Sequence, residues 1–312
     1  MDGSIEKNPG IKDISPAIPE QKSIQLHPRR FLKLLLLLPS VALVLTFSYY
    51  PALRSIVGSF TTWNGFNPPT FSGFSNFVQY IQSGMFGVEL RNIAFLVIGG
   101  VITSVVFPFI GAQLVLSLPD GKWQRTVKYL FVVPMVIPQV VLIDVWANLL
   151  NPNSGLVDAV LNVFGVPPVQ WFSGTHTALI SILLIGFPWI SNLSFLIFLA
   201  GLQGIGHDIR EAAEMDGCSG LRRILRIDVP LILAQVQFVV VISGIAIVQN
   251  FIPILLLTQG GPGNATMVPG LDMYDSAFQN NQLGYGMAIG TLLFIAMLIV
   301  TGAVLRVLRP RT

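Results

Sequence analysis

Six stretches of the chain, at about 31–57, 92–118, 127–150, 175–200, 231–257 and 285–308, are apolar on every face. A helix needs roughly 20 mostly apolar residues to cross the hydrocarbon core of a bilayer, and each stretch is long enough. Strands of an outer-membrane barrel would be about ten residues long and alternate apolar with polar positions. The pattern therefore predicts an all-α membrane protein with six transmembrane helices in a domain over 31–308. Residues 1–30 are polar and broken by Pro9, Pro16, Pro19 and Pro28, which predicts a flexible tail. A cleaved signal peptide has a shorter apolar region followed by small residues. The first stretch is longer and ends in Tyr49-Tyr50-Pro51, so it reads as an uncleaved anchor. Gly, Pro, Asn and aromatic residues mark 58–90 as a loop near the headgroups. A second loop, 151–174, carries a short amphipathic helix around Leu156–Phe164.

Composition agrees. Of 312 residues 53% are hydrophobic and 11% charged, against about 25% charged in soluble domains, and the mean hydropathy is +0.70. A cytosolic enzyme, a disordered protein and a secreted disulfide scaffold are excluded, the last because Cys218 stands alone. The charges are also sorted. An even number of crossings places 16 of the 18 basic residues on one side, leaving only Arg54 and Arg91 opposite. By the positive-inside rule both termini are then cytoplasmic in a multi-pass plasma membrane protein.

The loop between the fourth and fifth stretches, 203–230, holds nine charges within 208–228. Glu211, Ala212 and Ala213 fit a helical turn that Gly217 and Gly220 are placed to end. A basic segment, Leu221–Ile227, then leads to Pro230 at the start of the next span. The small Ala212–Ala213 face, ringed by Glu211, Glu214 and Asp216, suits close approach of another surface.

Glu211-Ala212-Ala213, three residues, Gly217, nine residues and then Ile227-Asp228-Val229-Pro230 resemble the EAA loop of importer-type ABC transporter permeases. Val229 replaces the usual leucine, Cys218 a small residue, and Gly206-His207 stands where many members carry proline. Thr258-Gln259-Gly260-Gly261-Pro262-Gly263-Asn264-Ala265-Thr266 is similar to the Gly-Gly-Pro segment of the MalF-like, maltose-type sugar permeases. Trp63-Asn64-Gly65-Phe66 and Asn151-Pro152 with Gly155-Leu156-Val157 fit the same group.

The resemblance implies a type I ABC importer permease fold in the bacterial inner membrane, with a cytoplasmic coupling (EAA) helix. It implies a second, MalG-like permease, two MalK-like ATPase subunits and an extracytoplasmic solute-binding protein that delivers a sugar. By the same resemblance Glu211, Ala212, Ala213, Asp216 and Gly217 couple ATP hydrolysis to the pore. The chain is then a non-catalytic subunit with no cofactor of its own, ATP and Mg being bound by the partner ATPases. Consistent with this, it has no G-x-x-x-x-G-K-[ST] phosphate loop. No feature suggests nucleic acid or a bound metal, and the surrounding solvent is membrane lipid.

Polar groups inside lipid are costly and face a bundle interior or a water-filled path. Asp144 is the acid that hydropathy places within a span, either reached by water at the interface or accepting from sugar hydroxyls. Gln139, Trp189, Asn192, Ser243 and Asn250 join it as a candidate substrate pathway, since sugars combine hydroxyls needing partners with C–H faces that pack on aromatic rings. Gln139, Trp189 and Ser243 fall closest to the site positions the resemblance implies. Bonds between helices are the other reading of these amides and hydroxyls. Pro134, Pro138, Pro188 and Pro253 interrupt three spans, either lining a chamber or merely bending helices. An ion-coupled secondary transporter would require a buried charge relay and an internal repeat, and a permease for a glycerol-phosphate compound would require buried basic residues. The sequence shows one buried acid, no internal repeat and no basic residue deep in a span, which disfavours the first and, unless a partner permease supplies the charge, the second.

Overall fold

The computed structural model describes residue 3, residues 28–189 and residues 192–308. The tail expected over residues 1–30 lies almost entirely outside them. The chain divides into two compact units, Met1–Pro51 and Ala52–Thr312. The first is helical over Pro28–Val44 and continues as a π-turn at Leu45–Tyr49. The second carries the sites considered below.

Hydropathy predicts six crossings. Among the described residues four helices are long and apolar enough to cross, Leu35–Gly58, Phe86–Ser117, Leu233–Leu257 and Leu283–Val307, and one bent pair brings the number to at most five. The remaining stretches are broken at prolines. Proline disfavours α geometry in the residue before it and supplies no N–H. Thus Ile137 is extended ahead of Pro138, and helices Lys122–Val136 and Gln139–Leu149 meet at 99°. The stretch at 175–200 is likewise two helices, Ala178–Leu184 and Asn192–Gln203.

Helix Phe86–Ser117 is the hub of the second unit. It packs against both halves of the broken fourth stretch and against Leu233–Gln249. Small residues allow the close approach. A Cβ on Gly99 would stand 2.6 Å from the Leu183 side chain, and one on Gly100 2.6 Å from Ile247. Two apolar clusters result. One gathers Ala112, Val115, Phe195, Phe198, Leu202 and Val239 at the arginine-rich end of the bundle. The other gathers Ile93, Leu96, Ile182, Ile254 and Leu271 at the opposite end.

That opposite end holds more structure than a loop. Thr61–Thr62 pairs antiparallel with Thr70–Phe71, and Asn64 closes the turn by accepting from the Phe66 and Asn67 amides at 3.1 and 3.0 Å. Helix Ser75–Gln82 follows, where Asn76 donates to the Ser59 and Thr61 carbonyls, both at 2.9 Å. Gly284 opens the last helix against this hairpin. Its N–H reaches the Trp63 carbonyl at 3.1 Å, and a side chain there would collide with the Thr61 carbonyl. In the next loop on this side the amphipathic helix runs Leu156–Val163.

Candidate functional site

The segment of the EAA-like pattern forms helix His207–Met215, with Asp208 in its first turn. Its end is a Schellman motif. The Gly217 N–H bonds the Glu214 carbonyl at 3.0 Å and the Cys218 N–H bonds the Ala213 carbonyl at 2.8 Å, with Gly217 at φ +67°. Nothing lies within 4 Å of a Cβ built on Gly217, so its backbone conformation and not crowding calls for glycine. Adjacent helical positions are 100° apart, so Ala212 and Ala213 do not share a face as the pattern suggests. Ala213 is buried, 4% exposed, against its own chain. The free surface is instead Asp208, Glu211, Ala212 and Met215, with Asp216 exposed beyond them. Glu211 is 3.1 Å from His207 one turn back.

Behind that surface the loop is tied to the bundle. The Arg210 guanidinium donates to the Leu202 carbonyl. Asp228, which hydropathy counts among the loop charges, is 2% exposed and accepts from the Gln113 amide at 2.8 Å. Arg223 stands between Glu214 at 3.8 Å and Asp228 at 3.7 Å.

Of the candidate pathway residues, Gln139, Trp189, Asn192 and Asn250 stand at breaks in the helices, and Asp144 and Ser243 lie within helices. Gln139 opens the helix that follows the 99° bend, exposed, and Asp144 is exposed one turn and a half further on. Trp189 is half-buried just after Pro188 at φ +54°, an uncommon conformation outside glycine. Its indole N–H donates to the Leu183 carbonyl at 2.8 Å, and its ring lies 4.8 Å from Phe107 and 4.9 Å from Phe187. The ring is thus held as a platform while its polar atom is already used. Asn192 opens the following helix, its side chain outside the described residues. Ser243 is half-buried within helix Leu233–Gln249, and Asn250 is exposed where that helix ends. Among the described residues no hydrogen bond joins any two of these side chains, so no hydrogen-bonded cluster is preassembled.

The Gly-Gly-Pro segment is a closed turn. The Thr258 and Thr266 hydroxyls meet at 2.8 Å, and Thr266 also donates to the Gly261 carbonyl at 2.8 Å. Gln259, Gly260, Gly263 and Asn264 all take positive φ. Asn92, fully buried on helix Phe86–Ser117, donates to the Asn264 and Met267 carbonyls.

Two further acids carry polar structure that hydropathy does not reveal. Glu89 is fully buried because the helix starts at Phe86, earlier than the apolar stretch. It accepts from the Tyr80 phenol at 2.6 Å, and burial together with Glu89 pushes that phenol far above its usual range. Asp158, 6% exposed, accepts from the Val169 amide at 2.9 Å and the Trp171 indole at 2.6 Å.

Comparison with known proteins bears on this arrangement. Residues 104–312 match the family described as binding-protein-dependent transport system inner membrane component. The chain is 27% identical to the diacetylchitobiose uptake system permease protein NgcF of Streptomyces coelicolor, over 86% of this chain and 80% of that one. It is 30% identical to the xylose/arabinose import permease protein XacH of Haloferax volcanii, over 78% and 77% of the two chains. It shares the fold of a bacterial alginate ABC transporter chain, solved with an alginate pentasaccharide-bound periplasmic protein. That match has a TM-score of 0.78 at 20% identity, over 90% of this chain and 95% of that one. The family match spans both the loop helix and the Gly-Gly-Pro turn, and the chain belongs to the inner membrane components of binding-protein-dependent transport systems.

Proposed function

We propose that the chain is the permease subunit of an ATP-driven sugar importer. It forms one half of the translocation pore beside a second, MalG-like permease. Helix His207–Met215 is the coupling helix, with Glu211, Ala212 and Asp216 engaging one of two MalK-like ATPases that hold ATP and Mg, while Ala213 packs the helix onto its own chain and Gly217 shapes its end. A solute-binding protein delivers the sugar at the opposite face, and both termini are cytoplasmic, as the sorting of basic residues supports. The reading is carried by the loop helix itself: a short helix with a rigid Schellman end, anchored behind and exposed in front, is built to dock. The sugar class is supported by relatives named for diacetylchitobiose and for xylose and arabinose.

Substrate passes along the broken helices and their neighbours, where Gln139, Asp144, Trp189, Asn192, Ser243 and Asn250 offer an aromatic face and polar partners. Freed backbone groups at such breaks are tolerated where they face protein or a water-filled path. Reconstitution of the complete complex in proteoliposomes tests this. Uptake of a sugar bound by the cognate solute-binding protein is expected to require ATP and to persist without any ion gradient. Uptake that follows an ion gradient and ignores ATP would overturn it.

A further inference from the structure

The chain leaves helix His207–Met215 through Gly217 and Gly220, at φ +67° and +57°, toward helix Leu233–Leu257, and enters it through 204–206 from helix Asn192–Gln203, so neither end joins it directly to helix Phe86–Ser117. A Cβ on either glycine would touch nothing, so no packing at the glycines themselves ties this connection to helix Phe86–Ser117. Between the loop and helix Phe86–Ser117 lies a cleft of about 940 Å³, walled by Phe109 and Leu116 on one side and Leu221 and Leu225 on the other. A polar chain crosses it. Glu214, at the end of the loop helix, pairs with Arg223, Arg223 with Asp228, and Asp228 with Gln113 on the long helix. A carboxylate as buried as Asp228 is strongly destabilising once its partners move away, so the chain resists separation of the two elements.

We infer that Glu214, Arg223, Asp228 and Gln113 are a lateral link that carries displacement of helix His207–Met215 into helix Phe86–Ser117. The link rests on the coupling role proposed above. Its far end reaches the pathway, because Gln113 lies six residues, about 9 Å, along one helix from Phe107, whose ring abuts Trp189. Asp228 is thus a positioning residue, touching neither nucleotide nor sugar.

The complete complex in proteoliposomes supplies the test. Asp228→Ala and Gln113→Leu are each expected to lower sugar transported per ATP hydrolysed by about tenfold, a usual size for coupling between sites. The double variant is expected to lose no more than either single one, since both remove the same contact, and Asp228→Glu to recover most of the ratio. Spin labels on Ser117→Cys and Met215→Cys, with Cys218→Ser, are expected to keep one separation with and without ATP. In Asp228→Ala that separation should change on ATP binding. An unaltered ratio in assembled Asp228→Ala and Gln113→Leu complexes, additive losses, or a separation indifferent to Asp228 would overturn the link. If Glu211→Lys uncouples the complex but those variants do not, the link alone fails. If Glu211→Lys also transports normally, the coupling role itself fails.

Discussion

The Asn92 side-chain amide donates to the Met267 carbonyl at 2.9 Å across 175 positions of sequence, and to the Asn264 carbonyl at 3.3 Å. One buried residue on helix Phe86–Ser117 thereby holds the Gly-Gly-Pro turn against the bundle. Asn92→Leu keeps the volume and removes both donors. The half-buried Met267 carbonyl then loses its donor, while the Asn264 carbonyl keeps the Met267 N–H at 3.2 Å, for a cost of about 1 kcal/mol. The purified variant should therefore unfold at lower temperature than the parent, and an unshifted melting curve would show that the clamp contributes nothing.

Glycine at 217 is required by conformation. A branched residue at φ +67° is disfavoured by about 1–2 kcal/mol, whereas asparagine visits this region readily. Gly217→Val is expected to uncouple ATPase activity from transport, and Gly217→Asn to retain much of the coupling. Glu211→Lys should uncouple as strongly while leaving affinity for the binding protein intact. Equal transport-to-hydrolysis ratios in all three would remove these residues from the docking surface.

Trp189 divides into two roles that substitution separates. Its indole N–H supports the Leu183 carbonyl, while its ring is held against Phe107 and Phe187. Trp189→Phe loses the hydrogen bond and keeps an aromatic face, so transport should fall only a few-fold. Trp189→Ala loses both and should reduce uptake by tenfold or more, in line with about 1.4 kcal/mol or above for a stacked ring. A sugar titration of ATP-driven uptake distinguishes the two, and equal uptake by the pair would exclude an aromatic platform.

Asp158 binds two donors with its two carboxylate oxygens. An asparagine side chain could accept through only one such oxygen, so Asp158→Asn should free the Trp171 indole or the Val169 amide. The expected reading is a red-shifted tryptophan emission and faster proteolysis within 151–174. Parental emission and cleavage in the variant would mean the segment holds without this pair.

Much of the helical arrangement was legible because hydropathy is a local property, and the prolines marked where spans break. The polar ties were not. Glu89 stands three residues before the apolar stretch, so hydropathy assigns it to a loop. Only the earlier helix start at Phe86 and the Tyr80 phenol explain its burial. Asp228 looks like one more loop charge until Gln113, 115 positions away, is brought beside it. The loop helix was legible in its ends, through Gly217, but not in its facing: spacing alone does not reveal that Ala213 turns inward and Met215 outward. Trp189 was singled out by residue type, yet the bond that occupies its N–H depends on the chain doubling back to Leu183.

The reach of the Asn92 clamp also has a consequence for biogenesis. Chains lengthen by about 5–20 residues per second, so Asn92 waits roughly 10–35 s before Met267 is even synthesised. Throughout that interval the Asn92 amide is without the two carbonyls it binds in the finished fold. A chain that stops before the Gly-Gly-Pro turn therefore lacks the partner that fixes the start of helix Phe86–Ser117 in the finished one. Only the finished chain supplies both acceptors that Asn92 binds.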